Sequence, residues 1–150
     1  MFEIYFFILG LVNSLFLTAI FAVRKNRLDI IEKAGWTYLL LAIPAVYGIF
    51  LSVRQDEPVQ YGIFLGIFIA FLLFEWLLDY ALKINFRDNL GKHLKWAVPY
   101  LALYYAMNYG FIIMPWKTST AWGLIMLGLF ALQMFTNLRS HPGIEISSQD

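Results

Sequence analysis

Residues 64–80 read FLGIFIAFLLFEWLLDY, an almost unbroken apolar run that carries two acids, Glu75 and Asp79. An apolar run of about this length, when helical, matches the roughly 30 Å thickness of a bilayer's hydrocarbon core. An ionisable side chain at that depth is costly in free energy, so an acid there is by default a candidate functional residue. The stretch therefore predicts a membrane-spanning helix with a polar site inside it.

The composition of the whole chain also indicates a membrane protein. Hydrophobic residues make up 61% of the 150 residues and charged residues only 14%, against about 25% charged residues in average soluble domains. The formal net charge of +1 leaves no dominant basic face, which argues against a nucleic-acid partner. Membrane lipids are therefore the expected surroundings of the chain.

Five apolar segments are long enough to cross a membrane as helices. We predict spans at about residues 4–23, 36–53, 61–82, 96–114 and 121–138, which together form one transmembrane domain over residues 1–140. Residues 141–150 are polar, and we predict a disordered tail there. The predicted fold class is thus an all-α integral membrane protein, a bundle of five transmembrane helices.

The placement of the cations predicts the orientation of this bundle. Nine of the eleven Lys and Arg residues lie in the first loop, the third loop and the tail, and the other two lie in the second and fourth loops. Because cytoplasmic loops carry the excess of positive charge, we predict the amino terminus outside and the carboxyl terminus inside. The chain has no Asn-x-Ser/Thr acceptor, which fits a prokaryotic inner membrane. The nine are Arg24, Lys25, Arg27, Lys33, Lys83, Arg87, Lys92, Lys95 and Arg139, and the two are Arg54 and Lys117.

Several kinds of chemistry are excluded or disfavoured by the residues present. The chain has no cysteine, so disulfides, thiolate metal sites and thiol nucleophiles are excluded. Its two histidines, His93 and His141, lie outside the apolar segments, so a haem ligated at membrane depth is not indicated. Neither a paired aspartate-rich diphosphate motif nor a nucleophile elbow is present. We expect no cofactor and no metal, and we favour a role other than that of an enzyme.

Two features of the apolar segments predict how the helices pack. Pro44 lies inside the second span, where a proline bends a helix because it has no N–H to donate. Small residues at every fourth position let two helices approach closely, and we expect Gly62, Gly66 and Ala70 to form such a contact face on the third span.

The candidate site is built around Glu75 by counting residues along the helices. Glu75 precedes Lys83 by eight residues, which places it about 12 Å above the inner end of its helix. Asp79 follows four residues later, so we expect the two carboxyls to share a helix face. If the third, fourth and fifth spans adjoin, polar side chains of similar depth form a cytoplasm-facing pocket around these acids. Its predicted members are Glu75, Asp79, Tyr100, Tyr104 and Gln133, with Asn108 and Asn13 deeper.

Several functions are compatible with such a pocket. The Glu75 carboxyl can be protonated, hydrated in a cavity, satisfied by neighbouring hydroxyls and amides, or paired with a ligand or second subunit. The favoured interpretation is a homo-oligomer that binds or transports a small solute, proton or cation. One alternative is a lipid- or isoprenoid-modifying enzyme with Glu75 or Asp79 as general acid and base. Another is an accessory subunit of a larger membrane complex, in which the network is inert and only fixes helix register.

Overall fold

The computed structural model describes residues 1–24, 35–83 and 94–140, and all regular structure within these ranges is helical. Five of its helical units are long and apolar enough to cross a membrane, which confirms the predicted number and order of membrane-length helices. Residues 25–34, 84–93 and 141–150, with five of the eleven cations that predict orientation, lie outside the described residues. The elements are α1 (Phe2–Arg24), α2 (Trp36–Leu39), α3 (Ala42–Arg54), α4 (Val59–Trp76) with a π-helical segment (Leu77–Ala81), α5 (Leu94–Thr118) and α6 (Thr120–Ser140).

The helices pack in a ring whose order is α1, α6, α5, α4 and α3, and α3 returns to α1. Helix α1 also touches α5 across the ring. The lower end of the bundle is the end at which α1 and α6 finish and α5 begins. The upper end is the opposite one, which contains Glu57 and Lys117. Because α5 lies between α4 and α6, the third, fourth and fifth spans adjoin in the way that the candidate site requires.

Aromatic side chains fill the core of the upper half. The Phe6 ring lies 4.9 Å from the Tyr61 ring and 5.2 Å from the Phe111 ring, and Phe68 packs edge-on against Phe111 at 5.2 Å. Lipid tails are as apolar as these rings, so helix association in a membrane depends on close packing and not on the exclusion of water. The upper half is therefore held by ring contacts, whereas most of the buried polar side chains lie in the lower half.

The glycines differ in whether another helix covers them. A Cβ atom added at Gly10 would lie 2.8 Å from the Phe111 ring, so α1 approaches α5 too closely for a larger residue. Gly62 would meet only a side-chain atom at 3.8 Å, Gly66 would meet nothing within 4 Å, and Ala70 is exposed. The predicted contact face at Gly62, Gly66 and Ala70 is thus wrong as a contact within the chain, because α4 turns this face outward.

The second span is broken into α2 and α3 just before Pro44. Proline has no N–H for the Leu40 carbonyl, and the Ile43 N–H donates to that carbonyl instead, at 3.0 Å. Pro44 then lies in the first turn of α3, where a missing N–H costs little. The Tyr5 hydroxyl of α1 donates to the Pro44 carbonyl at 2.5 Å and ties the break to the bundle. The predicted bend at Pro44 is therefore confirmed, in the form of a break.

Candidate functional site

Glu75 lies in the last turn of α4 and points into the bundle. The residue is only 9% exposed, whereas the apolar residues Leu73 and Trp76 on either side of it are exposed. The Tyr100 hydroxyl of α5 donates a hydrogen bond to Glu75 Oε1 at 2.7 Å. The Tyr100 ring packs against Phe71 one turn earlier on α4, at 5.4 Å, which fixes the direction of the hydroxyl. The candidate acid is thus enclosed by protein, as an acid at membrane depth requires.

Asp79 does not share this environment. The residues after Glu75 form a π-helical segment, in which the Leu82 N–H donates to the Leu77 carbonyl five residues earlier at 2.8 Å. A wider turn rotates later residues away from the face that an α-helix would give them. Asp79 is exposed, whereas Glu75 is buried. The structure therefore buries one of the two predicted carboxyls and exposes the other, so it does not bring Asp79 into the surroundings of Glu75.

Tyr104 and Gln133 form a second polar contact, between α5 and α6. The Tyr104 hydroxyl donates to Gln133 Oε1 at 2.9 Å, and both residues are buried. The other end of the amide, Gln133 Nε2, is enclosed and has no hydrogen-bond partner among the residues that the structure describes. Asn108 is buried one turn along α5, and its Nδ2 donates to the Tyr104 backbone carbonyl at 2.9 Å. The Asn108 amide N–H is thus used within its own helix.

Asn13 is bound to a residue that the sequence does not single out as a site residue. The Tyr38 hydroxyl of α2 donates to Asn13 Oδ1 at 2.7 Å, and Asn13 Nδ2 lies 3.9 Å from the Met107 sulfur. From the sequence, Tyr38 is expected at the membrane interface together with Trp36. The structure instead buries Tyr38 to 3% exposure while Trp36 is 51% exposed. The break after α2 allows Tyr38 to turn inward, and Pro44 is the sequence feature that indicates the break.

Tyr38 joins the separate contacts into one cluster. It donates to Asn13, whose Nδ2 lies 3.9 Å from the sulfur of Met107 on α5, the helix that also carries Tyr100 and Tyr104. Side chains from all five spans therefore meet near the lower half of the bundle. We call this cluster the polar layer; its members are Asn13, Tyr38, Glu75, Tyr100, Tyr104 and Gln133.

All members of the polar layer are buried, and two cavities lined by described residues lie away from them. A cavity of about 450 Å³ lies at the upper end, lined in part by Glu3, Glu57 and Lys117. An apolar groove of about 330 Å³, lined in part by Leu72 and Trp76, runs between the second and third spans. Neither includes a member of the polar layer. The expected cytoplasm-facing pocket stays a prediction, because residues 25–34 and 84–93, which follow α1 and precede α5 at the lower end, lie outside the described residues.

The chemistry available in the polar layer is that of one carboxyl, three phenols and two amides. Among the described residues, no three His, Cys, Asp or Glu side chains are grouped in a way that could hold a metal ion. A carboxyl in such a setting binds and releases a proton or pairs with a cationic group.

Comparison with known proteins adds no assignment to this geometry. Neither a protein-family model, a curated protein nor a solved structure matches the chain.

Proposed function

We propose that this chain is an integral membrane protein that binds, and carries across the membrane, a small cation or proton at the Glu75 carboxyl. The observation that supports the proposal is the position of Glu75, which is buried among five membrane-length helices and accepts a hydrogen bond from Tyr100. Burial of an ionised carboxyl costs a free energy on the order of several kcal/mol unless a proton or a partner compensates the charge. The group is therefore suited to taking up and releasing a positively charged species.

Backbone irregularities lie next to the proposed site and provide it with a means of opening. The break in the second span begins two residues after Tyr38, and the π-helical segment begins two residues after Glu75. π-Helical turns are common at functional sites, and interruptions of a helix allow it to bend. In our proposal these two points bend to admit the ligand to the buried polar layer.

The proposal places the lower end of the bundle in the cytoplasm of a prokaryotic cell. Among the described residues, four Lys and Arg side chains lie at or near the lower end and two lie near the upper end. This distribution supports the orientation with the carboxyl terminus inside. The four are Arg24, Lys83, Lys95 and Arg139, and the two are Arg54 and Lys117.

The proposal also includes a homo-oligomer. Five helices packed around a closed core leave no room for a continuous pore in one chain. The uncovered face at Gly66 and Ala70 supports a contact with a second copy, because small residues allow helix backbones to approach closely.

The function is tested by measuring ion flux in liposomes that contain the purified protein and a trapped pH-sensitive or Na⁺-sensitive dye. We expect flux of protons, Na⁺ or K⁺ above that of protein-free liposomes, and we expect Glu75→Gln to abolish it because the amide cannot take up a positive charge. Asp56→Asn is the matched control, since Asp56 is an exposed acid in the turn at the upper end. Wild-type flux in the Glu75→Gln protein would contradict the proposal.

A further inference from the structure

The cavity of about 450 Å³ at the upper end of the bundle, which we call the upper cavity, combines charged and apolar lining residues. Its buried lining includes Tyr61 and Met114, and the Tyr61 ring packs against the rings of Phe2 and Phe6 at 5.1 and 4.9 Å. Lys117 also lines the cavity and is exposed, so the cavity is accessible from the surface. Ligand pockets commonly have volumes of about 300–1,000 Å³ and combine apolar walls with a few polar groups. The upper cavity has the size and the lining of such a pocket.

Three separate elements bring charges of both signs to the upper cavity. Glu3 lies in the first turn of α1, Glu57 lies in the turn between α3 and α4, and Lys117 lies in the last turn of α5. The backbone at Glu57 is fixed, since its N–H donates to the Ser52 carbonyl at 2.9 Å. The Ser119 N–H donates to the Pro115 carbonyl at 2.9 Å, which continues the helical hydrogen bonding past Lys117. The charges are therefore carried by hydrogen-bonded parts of the bundle.

The opposite charges that line the upper cavity do not pair with each other. Within residues 1–24, 35–83 and 94–140, neither Glu57 nor Lys117 forms an ion pair, and the partner observed for Glu3 is the terminal amine of Met1 at 3.7 Å. That amine is fully exposed to solvent, where an ion pair adds little stability. An acid and a base that line one cavity without a bond between them can each bind a group of opposite charge on a ligand.

The signs of these charges restrict the class of ligand. A ligand with only a negative charge would face the two carboxylates of Glu3 and Glu57. A ligand with only a positive charge would leave the Lys117 ammonium without an opposite charge. A ligand that carries an ammonium group and an anionic group on one short skeleton meets each charge of the cavity with the opposite one.

We propose that the upper cavity binds a small zwitterionic ligand, whose ammonium group contacts the carboxylates of Glu3 and Glu57 and whose anionic group contacts Lys117. The apolar lining at Tyr61 and Met114 receives the carbon skeleton between the two charged groups. Two sources offer this chemistry: a free solute such as an amino acid, and the headgroup of a lipid such as phosphatidylethanolamine. The upper cavity includes no member of the polar layer, so this proposal does not depend on the proposed function.

The experiment measures the binding of amino acids to the purified protein in nanodiscs of phosphatidylglycerol, a lipid that has no ammonium group. Saturation-transfer NMR detects the bound solute, and glycine, 4-aminobutyrate and 6-aminohexanoate cover increasing distances between the two charges. We expect saturable binding of at least one of them. The amine and the carboxylate of the same chain length, which each carry one of the two charges, should bind about fivefold more weakly, as expected for the loss of one partly exposed ion pair.

Variants of the lining residues test which side chains bind the ligand. We expect Glu57→Gln and Lys117→Gln each to weaken binding about fivefold, because each variant removes one charge contact. Asp56→Asn and Arg54→Gln are the matched controls, since these two residues are exposed neighbours that do not line the cavity, and we expect them to bind like the wild type. None of the four positions is buried, so we expect all four variants to fold.

The lipid source is tested by native mass spectrometry of the protein released from nanodiscs that contain equal amounts of phosphatidylethanolamine and phosphatidylglycerol. Retained phosphatidylethanolamine that both Glu57→Gln and Lys117→Gln reduce, without binding of the three solutes, would assign the site to a lipid headgroup. The proposal is overturned if neither source binds, or if the amine or the carboxylate alone binds as tightly as the zwitterion. It is also overturned if the two control variants weaken binding as much as the two lining variants do. Ion flux is measured separately, so none of these results decides the role of Glu75.

Discussion

We predict that breaking the hydrogen bond between Tyr104 and Gln133 destabilises the protein. Tyr104→Phe removes the donor to Gln133 Oε1. Because Gln133 Nε2 has no partner within residues 1–24, 35–83 and 94–140, the buried amide is then left with no hydrogen bond from this part of the chain. An unsatisfied buried polar group costs about 1–3 kcal/mol, and we expect a loss of stability of that size. Asn108 bonds the Tyr104 backbone carbonyl and not the hydroxyl, so its contact is retained in the variant.

Adding Gln133→Leu to this variant should restore stability. Leucine removes the unsatisfied amide and fills a fully buried position with an apolar side chain of similar size, and replacing both partners of a hydrogen bond is often nearly neutral. We therefore expect Tyr104→Phe with Gln133→Leu to be more stable than Tyr104→Phe alone by about 1–3 kcal/mol. Gln133→Leu alone is expected to be less stable than the wild type, because it leaves the buried Tyr104 hydroxyl without its acceptor.

The assay is reversible unfolding in mixed micelles on titration with sodium dodecyl sulfate, followed by the fluorescence of the five tryptophans. Thr136→Val is the control one turn along α6, since its hydroxyl bonds backbone carbonyls of its own helix, and we expect a change within about 0.5 kcal/mol. If the double variant is no more stable than Tyr104→Phe alone, Gln133 Nε2 has a partner in the membrane, and our account of this contact is refuted.

Three further predictions concern packing, assembly and orientation. Gly10→Ala should destabilise the bundle by about 1–3 kcal/mol, because its methyl group would overpack against the Phe111 ring of α5. Gly128→Ala, where the added methyl group would meet nothing within 4 Å, should be neutral or stabilising. The same unfolding assay measures both variants. Because the chain has no cysteine, Gly66→Cys should form a disulfide-linked dimer in oxidised membranes if copies meet on that face, and Ile43→Cys, exposed on the second span, should remain monomeric. Ser119→Cys, in the turn between α5 and α6, should react with a membrane-impermeant maleimide added outside spheroplasts; labelling only after lysis would reverse the proposed orientation.

The inert-network alternative and the proposed function differ in what they require of Glu75. A network that only fixes helix register needs hydrogen bonds at this position, and glutamine can supply them, so Glu75→Gln would fold and leave no functional loss. A site that exchanges a proton needs the carboxyl itself. The amide variant therefore separates the two interpretations even though both predict that the position is buried.

The sequence by itself determined the spans, their order and the main candidate acid. Apolar length and the cost of an ion in lipid depend on composition along one segment, so they can be evaluated without knowing any neighbour. For the same reason, counting residues from the helix ends correctly placed Glu75, Tyr100 and Gln133 in the same half of the bundle.

Only the tertiary structure decided which polar groups meet. Tyr38 turns inward because the chain breaks before Pro44, Asp79 turns outward because the helix widens after Glu75, and Gly66 remains uncovered because α4 presents another face to its neighbours. Each outcome depends on how the helix is rotated about its axis, by less than one turn. Side-chain packing between segments that are distant in sequence selects that rotation. Periodicity within a single segment carries no information about that choice.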